Sequence, residues 1–450
     1  MRKVQPAIQY SEGRSSLWGG AKLVNCFAEV SEGDKADQFA VMAIPGLRLF
    51  GDVESGPVRG LHAVKDDLYA VIGTTLYQIG EDGTGNSVGM IPGADPVMMA
   101  DNGTELAIQA GSAGYVYSGG LVRANITNLP PVSGVVYIDG YFVWTVANSD
   151  QFVISALYDG LSYDPLDVAT VQGDPDNIVG VVNDHRELQF YGTKTIEIWY
   201  NSGDADFPFA RQGNAFVERG CLARDSIVKM DNTVIWVGED RIVYRLDSYN
   251  PVRISTHAIE SKIANAQQFR GYTQTDQGHK RYILNTELGT WAFDASTGAW
   301  AEMRSYGLAN YRVGCAAFAF GRTILGDAYT GKLYVADFDE YTENGAIIPV
   351  IIEMPSIQTD RAKATLYSFE AYVETGVGLA DDPDPQMMLQ WSKDGGRTYS
   401  PEQWRSLGRE GEYLSRCVWR LGVQFRQLQI RLQMPSKTKR FLVSAYADVR

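Results

Sequence analysis

The sequence predicts an all-β protein, with a β-propeller of about seven blades over residues 51–345 and a C-terminal β-sandwich over residues 346–450. Two observations favour this fold class. The 450-residue chain contains 46 Gly, 25 Tyr and 9 Trp, an aromatic and turn-rich composition that is typical of β architecture. Short alternating runs separated by polar turns also recur along residues 57–340, as expected for repeated small sheets.

An aromatic residue recurs near the end of the third predicted strand of each repeat. Successive positions lie 35 to 49 residues apart, which is the length of a four-stranded propeller blade. Because each blade packs one face against the next, an aromatic wedge between blades explains the recurrence. A two-layer sandwich does not explain so regular a period. The seven positions are Tyr77, Tyr117, Phe152, Trp199, Tyr244, Phe293 and Tyr334.

Two segments flank the predicted propeller. Residues 1–50 contain the strand-like runs AKLVNCFAEV and FAVMAIPGLRLF, and we expect them to form either an arm or a strand that closes the propeller. Residues 346–450 contain longer alternating runs such as TLYSFEAYVETG, which favour a separate sandwich. The stretch LADDPDPQ within it is interpreted as a solvated connection, with a Ca²⁺ site as the alternative.

The cysteines indicate folding under reducing conditions. Cys26, Cys221, Cys315 and Cys417 are far apart and form no C-x-x-C pair, so we expect four buried, reduced thiols. The N-terminus has no signal-peptide core, and no run approaches the roughly 18 apolar residues of a membrane helix. These features predict a soluble protein that folds in the cytoplasm and does not insert into membranes.

Charge is unevenly distributed along the chain. The net charge is −14, with 26 basic against 42 acidic residues in 1–350, but 10 basic against 3 acidic residues in 403–450. The acidic balance argues against tight DNA binding by the body of the protein. The basic end could dock on an acidic partner or on another copy, with a merely solvated basic face as the alternative.

The stretch SKDGGRTY fits the Asp-box pattern found in sialidases and other β-proteins. We interpret it as a structural turn, because Asp394 can accept backbone N–H groups, Gly396 tolerates positive φ and Tyr399 can pack underneath. The predicted Asp-box turn comprises Ser392, Asp394, Gly396, Thr398 and Tyr399.

No pattern of catalytic or cofactor-binding residues accompanies the Asp-box. The sequence contains no phosphate-binding loop and no histidine pair at metal-ligand spacing. A sialidase would also need an arginine cluster with a Tyr–Glu pair, which we cannot place. We therefore predict a protein that is not an enzyme and that has no catalytic residue, metal or cofactor.

Several segments that together span most of the chain carry a resemblance to a known family. In order they are KLVNCFAEV, IPGLRLFGDVESGPVRGLHAV, LQFYGTKTIEIWY and SIQTDRAKATLYSFEAYVETGVG. The last is LQWSKDGGRTYSPEQWRSLGREGEYLSRCVWRLGVQFRQLQIRL, with its DG turn and WRLG. Taken in this order, the segments resemble the packaged-DNA stabilisation or tail hub proteins of short-tailed bacteriophages.

The resemblance implies a structural component of the virion tail, assembled in the host cytoplasm. Such proteins form a ring, six copies in these tails, below the portal and its adaptor, where they extend the DNA channel. They present surfaces for tail fibres, spikes or a needle, and their contact with DNA in the channel is transient and non-specific. The resemblance carries over no catalytic residue.

Two other functional classes stay open from the sequence: a carbohydrate-binding or sialidase-like propeller, and a general kelch-type interaction scaffold. Under the virion hypothesis, the basic end is the candidate assembly interface with the adjacent copy or the adaptor. Its residues are Arg405, Arg409, Arg416, Arg420, Arg426, Arg431, Lys437, Lys439 and Arg440.

Overall fold

The computed structural model describes residues 2–13, 15, 20–30, 39–171, 173, 176–359 and 362–450. Within these ranges nearly all regular structure is β, apart from the α-helix His257–Ile263 and the 3-10 turn Arg224–Ser226. The predicted all-β class is confirmed. Part of the predicted N-terminal segment, including residues 31–38, lies outside the described ranges.

Seven antiparallel four-stranded blades can be traced in the described part of the chain. The strands of blades 1 and 2 are Val58–Val64, Asp67–Ile72, Thr75–Ile79, Gly85–Met90, Met98–Asp101, Leu106–Ala110, Ala113–Ser118 and Leu121–Arg123. Blades 3 and 4 comprise Val132–Ile138, Tyr141–Val146, Gln151–Ile154, Val168–Thr170, Ile178–Asp184, Glu187–Gly192, Ile196–Asn201 and Phe209–Val217. Blades 5 and 6 comprise Val228–Met230, Thr233–Val237, Val243–Asp247, Asn250–Arg253, Arg270–Asp276, His279–Thr286, Gly289–Asp294 and Ala299–Met303.

A hydrophobic core fills each junction between neighbouring blades. The predicted aromatic positions all fall on the third strands. Six of them pack against the preceding blade, as Trp199 of blade 4 does against Phe152 of blade 3 at 5.1 Å. Phe152 instead stacks on Phe190 of the following blade at 4.5 Å. The core between blades 7 and 1 joins Val58 to Ile324. Because this junction is packed like the others, the blades form a closed circle, and the predicted propeller is confirmed.

The seventh blade is completed by a strand that precedes the first blade in sequence. Val313–Ala319, Arg322–Asp327 and Lys332–Asp337 supply three strands, and Gly46–Asp52 pairs antiparallel with the last of them. A Cβ atom at Gly46 would meet the Glu340 carbonyl oxygen at 2.3 Å, so the close approach of these backbones requires glycine. The hairpin strands Thr342–Glu343 and Ala346–Ile347 then extend this sheet.

The C-terminal domain is a two-sheet sandwich that also takes strands from ahead of the propeller. The first sheet comprises Arg2–Val4, Cys26–Val30, Phe39–Ala43, Ala364–Val373, Cys417–Phe425 and Phe441–Val449. The second comprises Lys22–Val24, Val350–Glu353, Ile357–Gln358, Gln386–Ser392, Gln403–Ser406 and Gln427–Met434. Their inner faces share one core around Trp419, Phe369 and Leu432, as expected for aligned sheets with alternating inward residues.

The second sandwich sheet is continuous with blade 6. Lys22–Val24 lies between Ala299–Met303 of that blade and Val350–Glu353 of the sandwich, and is hydrogen-bonded to both. The two domains are therefore joined by backbone pairing as well as by the connecting chain. Since such pairing fixes the relative position of whole strands, it favours a rigid orientation of the sandwich.

Asn25 forms the corner where the chain passes from the second sandwich sheet to the first. Its φ of 55° lies in the left-handed region, which asparagine tolerates better than most residues. The fully buried side-chain amide donates to the carbonyls of Arg304 and Pro349, both at 2.8 Å, and its Oδ1 accepts from the Arg304 N–H. One side chain thus connects blade 6, the interdomain segment and the N-terminal strands.

A second polar contact joins the N-terminal strand to blade 6. His279 Nδ1 lies 2.6 Å from Asp294 Oδ2, and its Nε2 lies 2.9 Å from Glu29 Oε2. The hydrogen bond to Asp294 is the main reason that the pKa of His279 is raised, although burial opposes it. The His279 side chain, held between two carboxylates, therefore links Cys26–Val30 to the propeller.

Replacing Leu47 with Ala should lower the free energy of unfolding by about 2–5 kcal/mol, because a large side chain leaves a packed core in the closing strand. Leu47 is 3% exposed, whereas Leu49 on the same strand is 52% exposed. Leu49→Ala is the matched control and should change stability by no more than about 0.5 kcal/mol. Chemical denaturation measures both, and equal effects would contradict a buried closing strand.

Candidate assembly surface and Asp-box turn

The Asp-box forms a turn whose polar groups bond to one another. Asp394 Oδ2 accepts the Thr398 hydroxyl at 2.6 Å, and Oδ1 accepts the N–H groups of Arg397 and Thr398 at 3.0 and 2.9 Å. Ser392 Oγ donates to Asp394 and accepts the Gly396 N–H at 2.8 Å, where φ is 87°. The hydroxyl of Thr398 contributes most to lowering the pKa of Asp394. These carboxylate contacts stabilise the turn.

Tyr399 anchors the turn to the second sandwich sheet. Its ring lies 3.5 Å, centroid to Cζ, from the Arg431 guanidinium, a cation–π contact. Arg431 in turn donates to Glu353 Oε1 at 2.6 and 2.9 Å. Burial raises the pKa of the Tyr399 hydroxyl. The geometry gives the Asp-box a role in holding a strand and a loop together, and it lends no support to sugar cleavage.

Three of the nine candidate basic residues are partly or fully buried and make internal contacts. Arg431 pairs with Glu353 as described above, and Arg405 Nε donates to the Val418 carbonyl at 2.9 Å. Arg440 lies in the interior instead of on the predicted surface, because its Nη1 donates to the Ile348 carbonyl at 2.7 Å between the two domains. Burial lowers its pKa to about 10. Arg440 therefore cannot present its guanidinium to another chain.

The other six candidates lie at the surface or at its margin. Lys439 pairs with Glu374 at 3.0 Å. Arg416, Arg420 and Arg426 lie within the strand Cys417–Phe425 or directly beside its ends, and all three are exposed. This strand is at the edge of the first sandwich sheet in the described topology. We call these three residues the arginine strand. The remaining candidates, Arg409 and Lys437, lie on the loops that flank neighbouring strands.

Two exposed tyrosines extend the arginine strand into a wider surface. Tyr367 and Tyr372 lie on the adjacent strand Ala364–Val373, with side chains turned away from the core. Arg450 lies over the Tyr367 ring at 5.4 Å. Sequence reasoning missed both tyrosines, although the alternation in TLYSFEAYVETG could have indicated them.

We call this surface the arginine–tyrosine face; Arg and Tyr are the residues that most often dominate protein interfaces. Its residues are Tyr367, Tyr372, Arg416, Arg420, Arg426 and Arg450.

Arg416 carries the best-defined charge contact of this face. Its Nε and Nη2 donate to the two oxygens of Glu370 at 2.8 and 2.7 Å, the paired geometry that arginine and carboxylate favour. These hydrogen bonds lower the pKa of Glu370. The pair orients the Arg416 side chain along the outer face of the sheet.

The four histidines each contact a carboxylate. The pairs are His62–Asp101, His185–Asp184, His257–Glu260 and His279–Asp294. Among the described residues, no group of three or more His, Cys, Asp or Glu side chains could hold a metal ion, and this includes the LADDPDPQ stretch.

Ser296, His279 and Asp294 are close together but do not form a catalytic triad. Ser296 Oγ and Asp294 Oδ2 both face Nδ1 of His279, at 3.2 and 2.6 Å, and Nε2 is held by Glu29. A triad needs the nucleophile and the carboxylate on opposite ring nitrogens. The three residues therefore act as a structural cluster.

Arginine side chains join blades that are not neighbours. Arg270 of blade 6 donates to the Arg59 carbonyl of blade 1 at 2.6 Å, and Arg224, before blade 5, donates to the Ser133 carbonyl of blade 3 at 2.7 Å. Cavities of about 850 and 480 Å³ both have Arg224 and Arg270 in their walls. These hydrogen bonds hold the blades together beside the two cavities.

A closed propeller joined to a β-sandwich by backbone pairing defines a class of two-domain, all-β proteins. Residues 12–341 match the family model described as the β-propeller of bacteriophage P22 Gp10, and residues 351–450 match the model of its β-sandwich. The chain belongs to the P22 Gp10 family, the tail hub or nozzle proteins of short-tailed bacteriophages, and is a structural protein of the phage tail. The predicted resemblance is confirmed.

Similar solved structures include other propellers. The computationally designed Ika8 protein is 13% identical, with 74% of this chain and 99% of that chain covered and a TM-score of 0.41. BamB from Moraxella catarrhalis is 10% identical, with coverage of 71% and 98% and a TM-score of 0.41. The β-propeller domain of Cps50 (Swd1) from Myceliophteria thermophila is 10% identical, with coverage of 64% and 98% and a TM-score of 0.42.

No curated protein matches the sequence. In the described part of the chain, no helix has the length and apolar character needed to cross a membrane.

Arg431→Ala should lower the free energy of unfolding by about 1.5–3 kcal/mol, because the buried Glu353 loses its charged hydrogen-bond partner. Arg409→Ala, at an exposed position of the same basic end, is the control and should change stability by no more than about 0.5 kcal/mol. Thermal and chemical denaturation compare the two. An unchanged Arg431→Ala variant would show that this arginine is not a structural residue.

Proposed function

We propose that the protein forms the hub or nozzle of the phage tail, as a ring of copies below the portal and its adaptor. In this position it extends the DNA channel, helps to retain packaged DNA and anchors tail fibres, spikes or a needle. The main observation behind the proposal is the arginine strand. Its three exposed guanidinium groups lie at the edge of a sheet, on a domain that has its own hydrophobic core. Such a surface is suited to binding another chain.

Charge supports contact between copies. Residues 1–350 carry 42 acidic against 26 basic residues, and residues 403–450 carry 10 basic against 3 acidic residues. Complementary potentials accelerate association and fix the orientation of two partners. The arginine strand of one copy therefore docks on the acidic body of the next copy, or on the adaptor.

In this proposal the DNA channel lies at the centre of the ring of copies. DNA does not pass through a single propeller, where Arg224 and Arg270 bond to other blades. An acidic lining repels phosphate groups, which lets the duplex slide with only transient, non-specific contacts. Rigid loops at the two ends of each propeller offer attachment surfaces for fibres or spikes.

Assembly in the host cytoplasm is supported by the state of the cysteines. Cys26, Cys221, Cys315 and Cys417 are all free and buried. Thiols in this state are typical of proteins that fold in a reducing compartment.

Reversing the charge of the arginine strand, with Arg416, Arg420 and Arg426 all changed to Glu, should prevent incorporation into tails while the monomer stays folded. Exposed ion pairs contribute only about 0–1 kcal/mol, so the circular dichroism spectrum should be unchanged. Electron microscopy and composition analysis of tails assembled with each variant measure incorporation. The control, Lys65, Arg123 and Lys194 changed to Glu, alters charge equally at other exposed positions. Normal tails from the first variant would refute the docking role.

A further inference from the structure

A loop at the rim of blade 3 holds large apolar side chains in solvent. The loop joins the third and fourth strands of that blade over residues 155–167. Leu157, Tyr158 and Leu166 on it are 53, 68 and 84% exposed. Exposed apolar groups of this size on one short segment are typical of an interaction site.

Internal contacts fix the loop to the propeller. Tyr163 is buried, with its hydroxyl accepting from Trp144 Nε1 at 2.8 Å and donating to the Gly160 carbonyl at 3.0 Å. Glu105 of blade 2 accepts the Gly160 N–H at 2.8 Å. A loop that is anchored at its centre presents its exposed side chains at little further cost in conformational entropy when a partner binds.

The sequence around the loop is acidic. The sequence from Ala124 to His185 contains eight Asp and no Lys or Arg. Asp159, Asp164 and Asp167 lie on the loop itself, where Asp159 and Asp164 accept the N–H groups of Leu161 and Leu166 at 2.9 Å. The partner that fits this loop is therefore cationic and has apolar or aromatic groups of its own.

The arginine–tyrosine face has the complementary chemistry and lies on the other domain. The sandwich is attached to blade 6, and blade 3 lies three blades away around a ring of seven. Cys417–Phe425, the strand of the three arginines, is four places along its sheet from Cys26–Val30, the strand that contacts blade 6. At about 4.8 Å per strand, these two strands are roughly 19 Å apart.

We propose that the blade 3 rim loop of one copy is the docking site for the arginine–tyrosine face of the next copy. The inference rests on the proposed ring, and it names the surface of the acidic body that receives the arginine strand. Different patches on the two domains of one molecule make a head-to-tail contact, which closes into a ring when the rotation between copies allows it. Leu157, Tyr158 and Leu166 pack against Tyr367 and Tyr372, and the aspartates face the arginines.

Disulfide cross-linking tests this contact directly. Leu166→Cys and Arg420→Cys are prepared as two separate full-length proteins, mixed and oxidised. The four native cysteines are buried, so the introduced thiols at exposed positions react first. The control is a mixture of Met90→Cys and Arg420→Cys. The mixture of Leu166→Cys and Arg420→Cys should give at least about tenfold more cross-linked dimer than this control, because contact between the two surfaces raises the effective thiol concentration. Met90 is an exposed residue on the rim of blade 1.

The outcomes separate this inference from the proposal on which it rests. A dimer formed as efficiently by either single variant alone would mean a two-fold contact and would overturn the inference. A ring seen by mass photometry without the mixed cross-link would overturn the inference and leave the proposed function standing. Protein that stays monomeric at every concentration and in assembling tails would overturn both.

Discussion

The rest of the structure depends on the closure of the blade ring by a strand from the opposite end of the sequence. Gly46–Asp52 completes the seventh blade, so the first and last blades are held together by backbone hydrogen bonds as well as by the core around Val58 and Ile324. An open ring would expose the unpaired edge of Lys332–Asp337, and unpaired edges invite non-native association. Closure allows every blade to pack against a neighbour on both sides.

Closure also determines where the sandwich lies. The chain that enters the closing strand has already supplied Lys22–Val24 and Cys26–Val30 to the two sandwich sheets, and Asn25 joins those strands to blade 6 and to the interdomain segment. The N-terminal segment therefore belongs to both domains. Because strand pairing joins the two domains, this arrangement favours a fixed orientation of the sandwich, and of the arginine strand on it, relative to the propeller.

Local patterns in the sequence predicted the fold well, whereas contacts between distant segments were not visible in it. The recurrence of aromatics identified every third strand of the propeller, because each blade repeats the same packing with its neighbour. Nothing in the run AKLVNCFAEV indicates that it lies between blade 6 and the sandwich, since strand pairing over hundreds of residues leaves no periodic signal. The same limit explains Arg440. The sequence predicts a surface position for an arginine beside a strand. Arg440 is buried because it bonds to the Ile348 carbonyl of another segment.

Hydrogen exchange followed by mass spectrometry tests the closed ring most directly, because protection reports the stability of each strand in the native protein. If the ring is closed as described, peptides from residues 46–52 are protected to the same degree as peptides from residues 313–337 and exchange together with them. Rapid exchange of residues 46–52 beside a protected seventh blade would contradict the account.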